Sequence, residues 1–210
     1  MPVPNLPLRL AVAEPAAALP TGAYGYEPKL DGWRAAVHVP AGVIQSRIGS
    51  NLSDRFPGVL ESAAALGRVV LDGEIVAYRD GRLDFGALGY GEARRRREGV
   101  VIVFAAFDLL GWRGRDLRPW PYTRRRERLQ AVIGAGTAGV QLMRSTLDFE
   151  RARAWISEDQ SAVGVEGVVA KPLQSRYPAG GGRSGWLKVR HYADIDAIVL
   201  GVTGSPTRRR

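Results

Sequence analysis

Between Tyr24 and Tyr78 the chain reverses direction every few residues, and that rhythm limits what it can fold into. Runs rich in β-branched, aromatic and small apolar residues occupy Tyr24–Glu27, Trp33–Val39, Val43–Arg47, Val69–Leu71 and Glu74–Tyr78. Around them stand Leu30-Asp31-Gly32, Ala41-Gly42, Asp72-Gly73 and Arg79-Asp80-Gly81, the residue types that fill tight turns. Helical patterns come separately. One runs from Asp54 to Leu66 with Ser53 or Asp54 as its cap, and two more span Thr123–Ile133 and Asp148–Glu158 behind Thr123 and Asp148. Val100–Leu110 is a continuous apolar run of buried-strand type, and Val165–Ala170, Trp186–Arg190 and Ile195–Val202 are late strands. Residues 1–22, with proline at 2, 4, 7, 15 and 20, read as an irregular lead-in. Hairpins and helices without a βαβ alternation predict an α+β fold with antiparallel sheets.

Lysine is nearly absent. Of 30 basic residues only Lys29, Lys171 and Lys188 are lysine, which leaves 30 − 3 = 27 arginines. A guanidinium cannot lose its proton in a protein, whereas an ammonium can be tuned to a neutral, nucleophilic amine. A GC-rich coding bias accounts for the arginines but not for where the lysines stand. Each sits in a dense local pattern: KLDGWR, EGVVAK and WLKVR.

The remaining composition narrows the chemistry. There is no cysteine, so disulfides, thiolate metal sites and cysteine nucleophiles are excluded, and His38 and His191 alone make no histidine metal cluster. A metal would be a hard cation on carboxylates, Mg²⁺ if a nucleotide is bound. A net charge of +9 fits a polyanionic partner such as nucleic acid, or a merely solubilising bias. No apolar run reaches membrane-spanning length and no signal-peptide layout opens the chain, so the expectation is a soluble, cytoplasmic protein.

In Lys29-Leu30-Asp31-Gly32-Trp33-Arg34 the glycine permits a sharp turn, so that Lys29, Asp31 and Arg34 can face one cleft. Arg34 and Lys188 are the cations expected to lower the pKa of Lys29. An ordinary hairpin with a solvated lysine would look the same. Glu74 and Glu166 each enter an apolar strand, which is costly unless the carboxylate meets a cation or metal. With Asp31 they would hold Mg²⁺ or a ribose hydroxyl; alternatively each pairs with an arginine. Alternation puts Trp186, Lys188 and Arg190 on one strand face, suited to a phosphate clamp or to a basic edge strand. The runs Arg94–Arg97 and Arg124–Arg126 read as solvated faces or as contacts to DNA phosphates.

Taken in order, KLDGWR, SRIGSNLSDRFP, VLDGEIVA, FAAFDLLGWRGRDL, EGVVAK and RSGWLKVR resemble motifs I, Ia, III, IIIa, IV and V of the covalent nucleotidyltransferases, specifically the ATP-dependent DNA ligases. The resemblance spans about residues 24 to 192. It implies two packed antiparallel sheets flanked by helices, in the covalent nucleotidyltransferase (ATP-grasp-like ligase) manner, with the nucleotide in the cleft between them. It implies that Lys29 attacks the α-phosphate of ATP, that Glu27 contacts adenine and that Arg34 contacts ribose. Arg47 would grip the 5′-phosphate of a nick, and Glu74 would bind ribose or face a metal. Phe107 would stack on adenine, and Lys171 would lie near the nucleotide phosphates. Lys188 and Arg190 would meet the α-phosphate. Glu166, with Glu74 and Asp31, would hold Mg²⁺ or Mn²⁺.

The implied partners are ATP and nicked double-stranded DNA, acted on by a monomeric bacterial enzyme near the nucleoid in replication, recombination and repair. Arg190 replaces a frequent lysine, and RSGW is one residue shorter than in many ligases, which leaves the placement of Arg183 open. Residues 1–192 would form the adenylation domain and 193–210 the first strand of an oligonucleotide-binding barrel. These 210 residues alone are therefore expected to form the adenylate weakly and to seal nicks poorly. RNA ligase, mRNA-capping guanylyltransferase and a non-catalytic DNA-binding module remain as alternatives.

Overall fold

The longest apolar run becomes the spine of the structure. In the computed structural model, which describes residues 2–157 and 164–191, strand β7 (Val101–Trp112) is buried along nearly its whole length. It pairs antiparallel with β5 (Val69–Arg79), which in turn pairs with β3 (Trp33–His38). Strand β4 (Val43–Ser46) closes one edge and β8 (Arg115–Asp116) the other, while β6 (Arg82–Leu83) and β9 (Val140–Leu142) branch off to complete seven strands. A second sheet holds β2 (Tyr24–Leu30), β10 (Val165–Pro172), β11 (Gly182–Arg190) and β1 (Ala11–Pro15), in the order β1-β11-β10-β2.

Side-chain alternation sorts these strands into layers. One face of the seven-stranded sheet buries Ala35, Val37, Leu71 and Phe104 against Val59 and Ala63 of helix α1 (Pro57–Ala64) and Leu129 and Ile133 of α3 (Tyr122–Ile133). Its other face, with Ala36, Val70 and Leu110, packs on Ala11 and Trp186 of the smaller sheet and on Leu10 just before it. The far side of that sheet presents Tyr26, Val168 and Ala170 to Phe149 and Ala152 of α4 (Phe149–Ala154). A short helix α2 (Glu92–Arg97) lies between β6 and β7.

The α+β class and the two packed sheets agree with expectation, with corrections in detail. Two strand pairs, β1 with β11 and β7 with β9, are parallel. The Pro-rich lead-in contributes β1. Asp72-Gly73 is no turn: β5 continues through it, with a shift in its register against β7 between the two residues. Gly73 stands there because a Cβ would meet the Phe104 ring at 2.5 Å and the Ala105 carbonyl at 2.7 Å. The first helix begins at Pro57 after a 3₁₀ turn over Ser53–Arg55, with Phe56 rather than Ser53 or Asp54 at the cap. Proline at the first helical position is favourable, since its missing N–H would be unpaired anyway. Pro121, not Thr123, precedes α3. Asp148 does cap α4, accepting from the Arg151 N–H at 3.1 Å, but the helix ends at Ala154. The expected strand Ile195–Val202 and the segment 193–210 lie outside the described residues. Among the described residues no helix is long and apolar enough to cross a membrane.

Candidate active site

A cavity of about 400 Å³ opens between the two sheets, and all eleven residues singled out from the sequence line it. The smaller sheet supplies one wall: Glu27 and Lys29 from β2, Glu166 and Lys171 from β10, Lys188 and Arg190 from β11. The larger sheet supplies the opposite wall with Arg34 from β3, Glu74 from β5 and Phe107 from β7. Asp31 lies in the β2–β3 turn and Arg47 just beyond β4.

Two glycines let these elements close in. Gly32, after Lys29, sits so near β5 that a Cβ would meet the Ile75 carbonyl at 2.4 Å. Gly167 has φ +148, and a Cβ there would lie 2.0 Å from the Val189 carbonyl. Next to it the β10–β2 register shifts between Val165 and Gly167, a bulge that falls at Glu166. Bulges re-aim a side chain locally, and here Glu166 is turned toward the lysine of the neighbouring strand. The Lys29 ammonium donates to Glu166 Oε2, and Arg190 Nη2 approaches the same oxygen at 3.8 Å. Lys29 therefore pairs directly with a carboxylate while sharing the cleft with Arg34 and Lys188, the cations expected to lower its pKa. The reason is cross-strand pairing of opposite charges at a half-buried position.

The other end of the cavity is drier. Glu27 is buried, receiving Lys171 Nζ at 2.7 Å and the Tyr122 hydroxyl at 2.8 Å. Lys171 is fully buried, donates to the Phe107 carbonyl at 3.3 Å, and lies 4.4 Å from the Phe107 ring centre and 4.1 Å from that of Trp186. Burial lowers its pKa, partly offset by Glu27. Lys171 thus packs with Glu27 and Phe107, the two residues expected at the base. A buried ammonium needs a carboxylate, and Glu27 is the one within reach.

The Arg34 guanidinium lies 5.3 Å from the Phe107 ring centre and 5.8 Å from that of Trp186. It forms a bidentate pair with the fully buried Asp72, at 3.1 and 2.8 Å. Burial would lower the Arg34 pKa, but Asp72 outweighs it and the net direction is upward. Asp72 also accepts from the Tyr177 hydroxyl at 2.6 Å. Glu74 beside them is pushed up to about 8, mainly by burial and against the pull of Arg34 and Lys29. Asp31 is raised by burial and by Glu166. Lys188 is lowered by burial and then by Arg190, Lys29 and Arg47, so the cations do converge at this end. Tyr122 and Tyr177 were missed by sequence reasoning and no local pattern marks them, while Asp72 stood inside VLDGEIVA but was read only as part of a turn. Phe85, which lines the cavity while remaining half exposed, had a usable signal in its apolar character next to a turn.

Asp31, Glu74 and Glu166 share the cavity, but among the described residues no three His, Asp or Glu side chains cluster closely enough to hold a metal alone. The arginine runs divide: Arg125 is buried against Asp108, at 2.7 and 3.0 Å, and so is neither a solvated nor a DNA-facing group. Arg126 approaches Glu27 at 3.6 Å. In α2, Arg94 and Arg96 make surface pairs with Glu98 and Glu92, while Arg95 is buried.

Two sheets facing across a cleft, a lysine–carboxylate pair at one end and an aromatic-lined charged cradle at the other, define a two-sheet nucleotidyltransferase-like domain. A family model described as an ATP dependent DNA ligase domain matches residues 10–190, and the chain belongs to that family. DNA ligase C2 of Mycolicibacterium smegmatis is 32% identical over 188 residues, covering 84% of this chain and 52% of that protein. The multifunctional non-homologous end joining protein LigD of Pseudomonas aeruginosa is 32% identical, covering 91% of this chain and 23% of that protein. Among solved structures, the ligase domain of M. tuberculosis LigD superposes with a TM-score of 0.70 at 29% identity, covering 88% of this chain and 59% of that one. A mycobacterial DNA ligase D complexed with ATP and MES gives 0.67 at 28% identity, covering 89% and 61%. The chain spans about half the length, or less, of the curated relatives it matches.

Proposed function

We propose that this chain is the adenylation domain of an ATP-dependent DNA ligase and that Lys29 carries the AMP. One observation bears most of the weight: the Lys29 amine sits against Glu166 in the same cavity as Lys188, Arg190 and the Glu27–Lys171–Phe107 cradle. In this reading the flat face of Phe107 takes the adenine, an apolar contact suited to a base. Glu166, adjacent to Nζ, receives the proton that the amine must lose. The amine then forms the N–P bond to the α-phosphorus as the bond to pyrophosphate breaks. Lys188 and Arg190 offset the negative charge that builds on the phosphoryl oxygens.

A divalent cation fits the donor set in one respect. Glu74 and Asp31 are carboxyls whose pKa values are raised first by burial, that of Asp31 also by Glu166, and a bound cation would offset that cost. They would hold Mg²⁺ or Mn²⁺ together with phosphate oxygens and water, and the ion would neutralise phosphate charge. Afterwards AMP passes to the 5′-phosphate of a nick, gripped by Arg47, and the neighbouring 3′-hydroxyl displaces it.

Intact mass after incubation with ATP and Mg²⁺ is the test. The parent gains one AMP, GTP leaves the mass unchanged, and Lys29→Arg abolishes the gain. An unmodified parent refutes the proposal.

A further inference from the structure

A second pocket lies away from the cleft, behind the segment that follows Arg47. Arg55, Arg95, Arg96 and the first residues of α1, Pro57 to Val59, line it. Arg55 spends Nε and Nη2 on the Leu88 carbonyl, at 3.3 and 2.9 Å, and its guanidinium lies over the Trp33 ring at 4.9 Å. Arg95 packs over Phe56 at 5.0 Å and donates Nη2 to the Arg55 carbonyl at 2.8 Å. Only 7% of Arg95 is exposed, yet its buried Nη1 has no hydrogen-bond partner among the described residues. Leaving a charged donor unpaired is costly, and native proteins seldom do so without a ligand to receive it.

Three features give this donor a sign and a target. The first turn of α1 contains no acidic residue and no side chain caps it, so the positive end of the helix adds to the charge of the arginines. Glu92, the one carboxylate on the rim, is committed to Arg96 at 2.7 Å and is mostly exposed. Burial first, and then Arg55, lowers the pKa of Arg95, against an opposite pull from Glu92. The cluster also continues toward the nick-binding residue: Trp33, under Arg55, lines a third groove together with Arg47.

We propose that the Arg55–Arg95 pocket at the start of α1 takes a backbone phosphate of duplex DNA, on the same track as the phosphate held by Arg47. This rests on the DNA reading above but not on the adenylation chemistry. A phosphate fits where a carboxylate side chain is missing, and helix N-termini receive such anions readily. Contact of this kind carries no base information, which suits an enzyme that closes breaks in any sequence.

Anisotropy of a labelled nicked duplex titrated with the 210-residue chain, over a series of NaCl concentrations, tests the proposal. Arg95→Met keeps the packing on Phe56 and removes the donor. It should weaken binding about tenfold and flatten the slope of log K against log salt by about 0.9. Gly58→Leu fills the pocket without touching an arginine, and a Cβ at that position meets nothing within 4 Å; it should give the same losses. An uninterrupted duplex of unrelated sequence should lose affinity equally. Parent-like affinity and slope in both variants overturn the proposal. So does tight binding of inorganic phosphate with DNA affinity unchanged in both variants, which would assign the pocket to a free anion. Mass measured on the same samples separates the two readings. A parent that gains no AMP but shows these DNA losses supports the pocket and refutes adenylation, and the reverse pattern refutes the pocket alone.

Discussion

Replacing Arg125 by methionine should cost the fold about 3–5 kcal/mol, the range for breaking one side of a buried ion pair. Arg125 and Asp108 are both 0% exposed at their side chains. The guanidinium makes two bonds to the carboxylate and two more to the carbonyls of Trp120 and Ser175. Burial by itself lowers the Arg125 pKa, Asp108 outweighs it, and the arginine stays charged. Methionine fills most of the volume, so the loss reflects an isolated Asp108 carboxylate rather than a void. That carboxylate keeps only the Leu109 N–H, at 2.9 Å, from its own chain. At a urea slope of about 2 kcal/mol per molar, the midpoint of unfolding should fall by about 1.5–2.5 M. Removing the carboxylate as well, in Arg125→Met/Asp108→Leu, relieves the unpaired charge and leaves the two carbonyls, at about 1–3 kcal/mol. The double variant should therefore be the more stable of the two by about 1–2 kcal/mol. A single variant within 1 kcal/mol of the parent, or a double variant no better than the single one, would refute this account.

Three further outcomes are expected. Glu74 keeps its proton up to about pH 8 in the fold but loses it near 4.5 when unfolded. The native state thus binds more protons over that window and its stability falls as pH rises. The interval corresponds to about 5 kcal/mol at 1.36 kcal/mol per pH unit, which solvent screening at this half-buried wall reduces to about 2–3 kcal/mol. Denaturation curves from pH 5 to 9 should show Glu74→Gln gaining that much on the metal-free parent by pH 8 and holding level above it; parallel profiles would count against it. Gly167→Ala should lower Tm by about 8 °C or more and remove the AMP mass increment, because its Cβ would strike the Val189 carbonyl. Gly89→Ala, with nothing within 4 Å, serves as the control and should melt like the parent. Glu27→Gln leaves Lys171 buried without its carboxylate, and scanning calorimetry should register a loss of about 3–5 kcal/mol.

The sequence exposed those parts of the site whose chemistry is local. Lys29, Glu166 and Lys188 each stand in a short pattern that constrains its own residues, and the cavity gathers all three. Side chains whose role depends on a distant partner were hidden. Arg125 looked like a member of a surface run, and only the approach of Asp108 from β7 makes it an interior residue. Asp-Gly carried two meanings as well. At 31–32 it forms the bend by which the chain passes from β2 in one sheet to β3 in the other, whereas at 72–73 the glycine answers to Phe104 on the neighbouring strand. The lead-in failed for the same reason: its prolines argue against regular structure locally, but the open edge of β11 recruits Ala11–Pro15 all the same.

That recruited segment bears on how the protein is produced. A shortened version starting at Tyr24 would retain every motif and every residue named for chemistry, yet would uncover the main-chain amides and carbonyls of the strand bearing Lys188. Bare borders of this sort zip onto other molecules. Such a version should clump or dimerise in gel filtration before its catalytic competence could be judged, so the first fifteen residues belong in any preparation meant for assay.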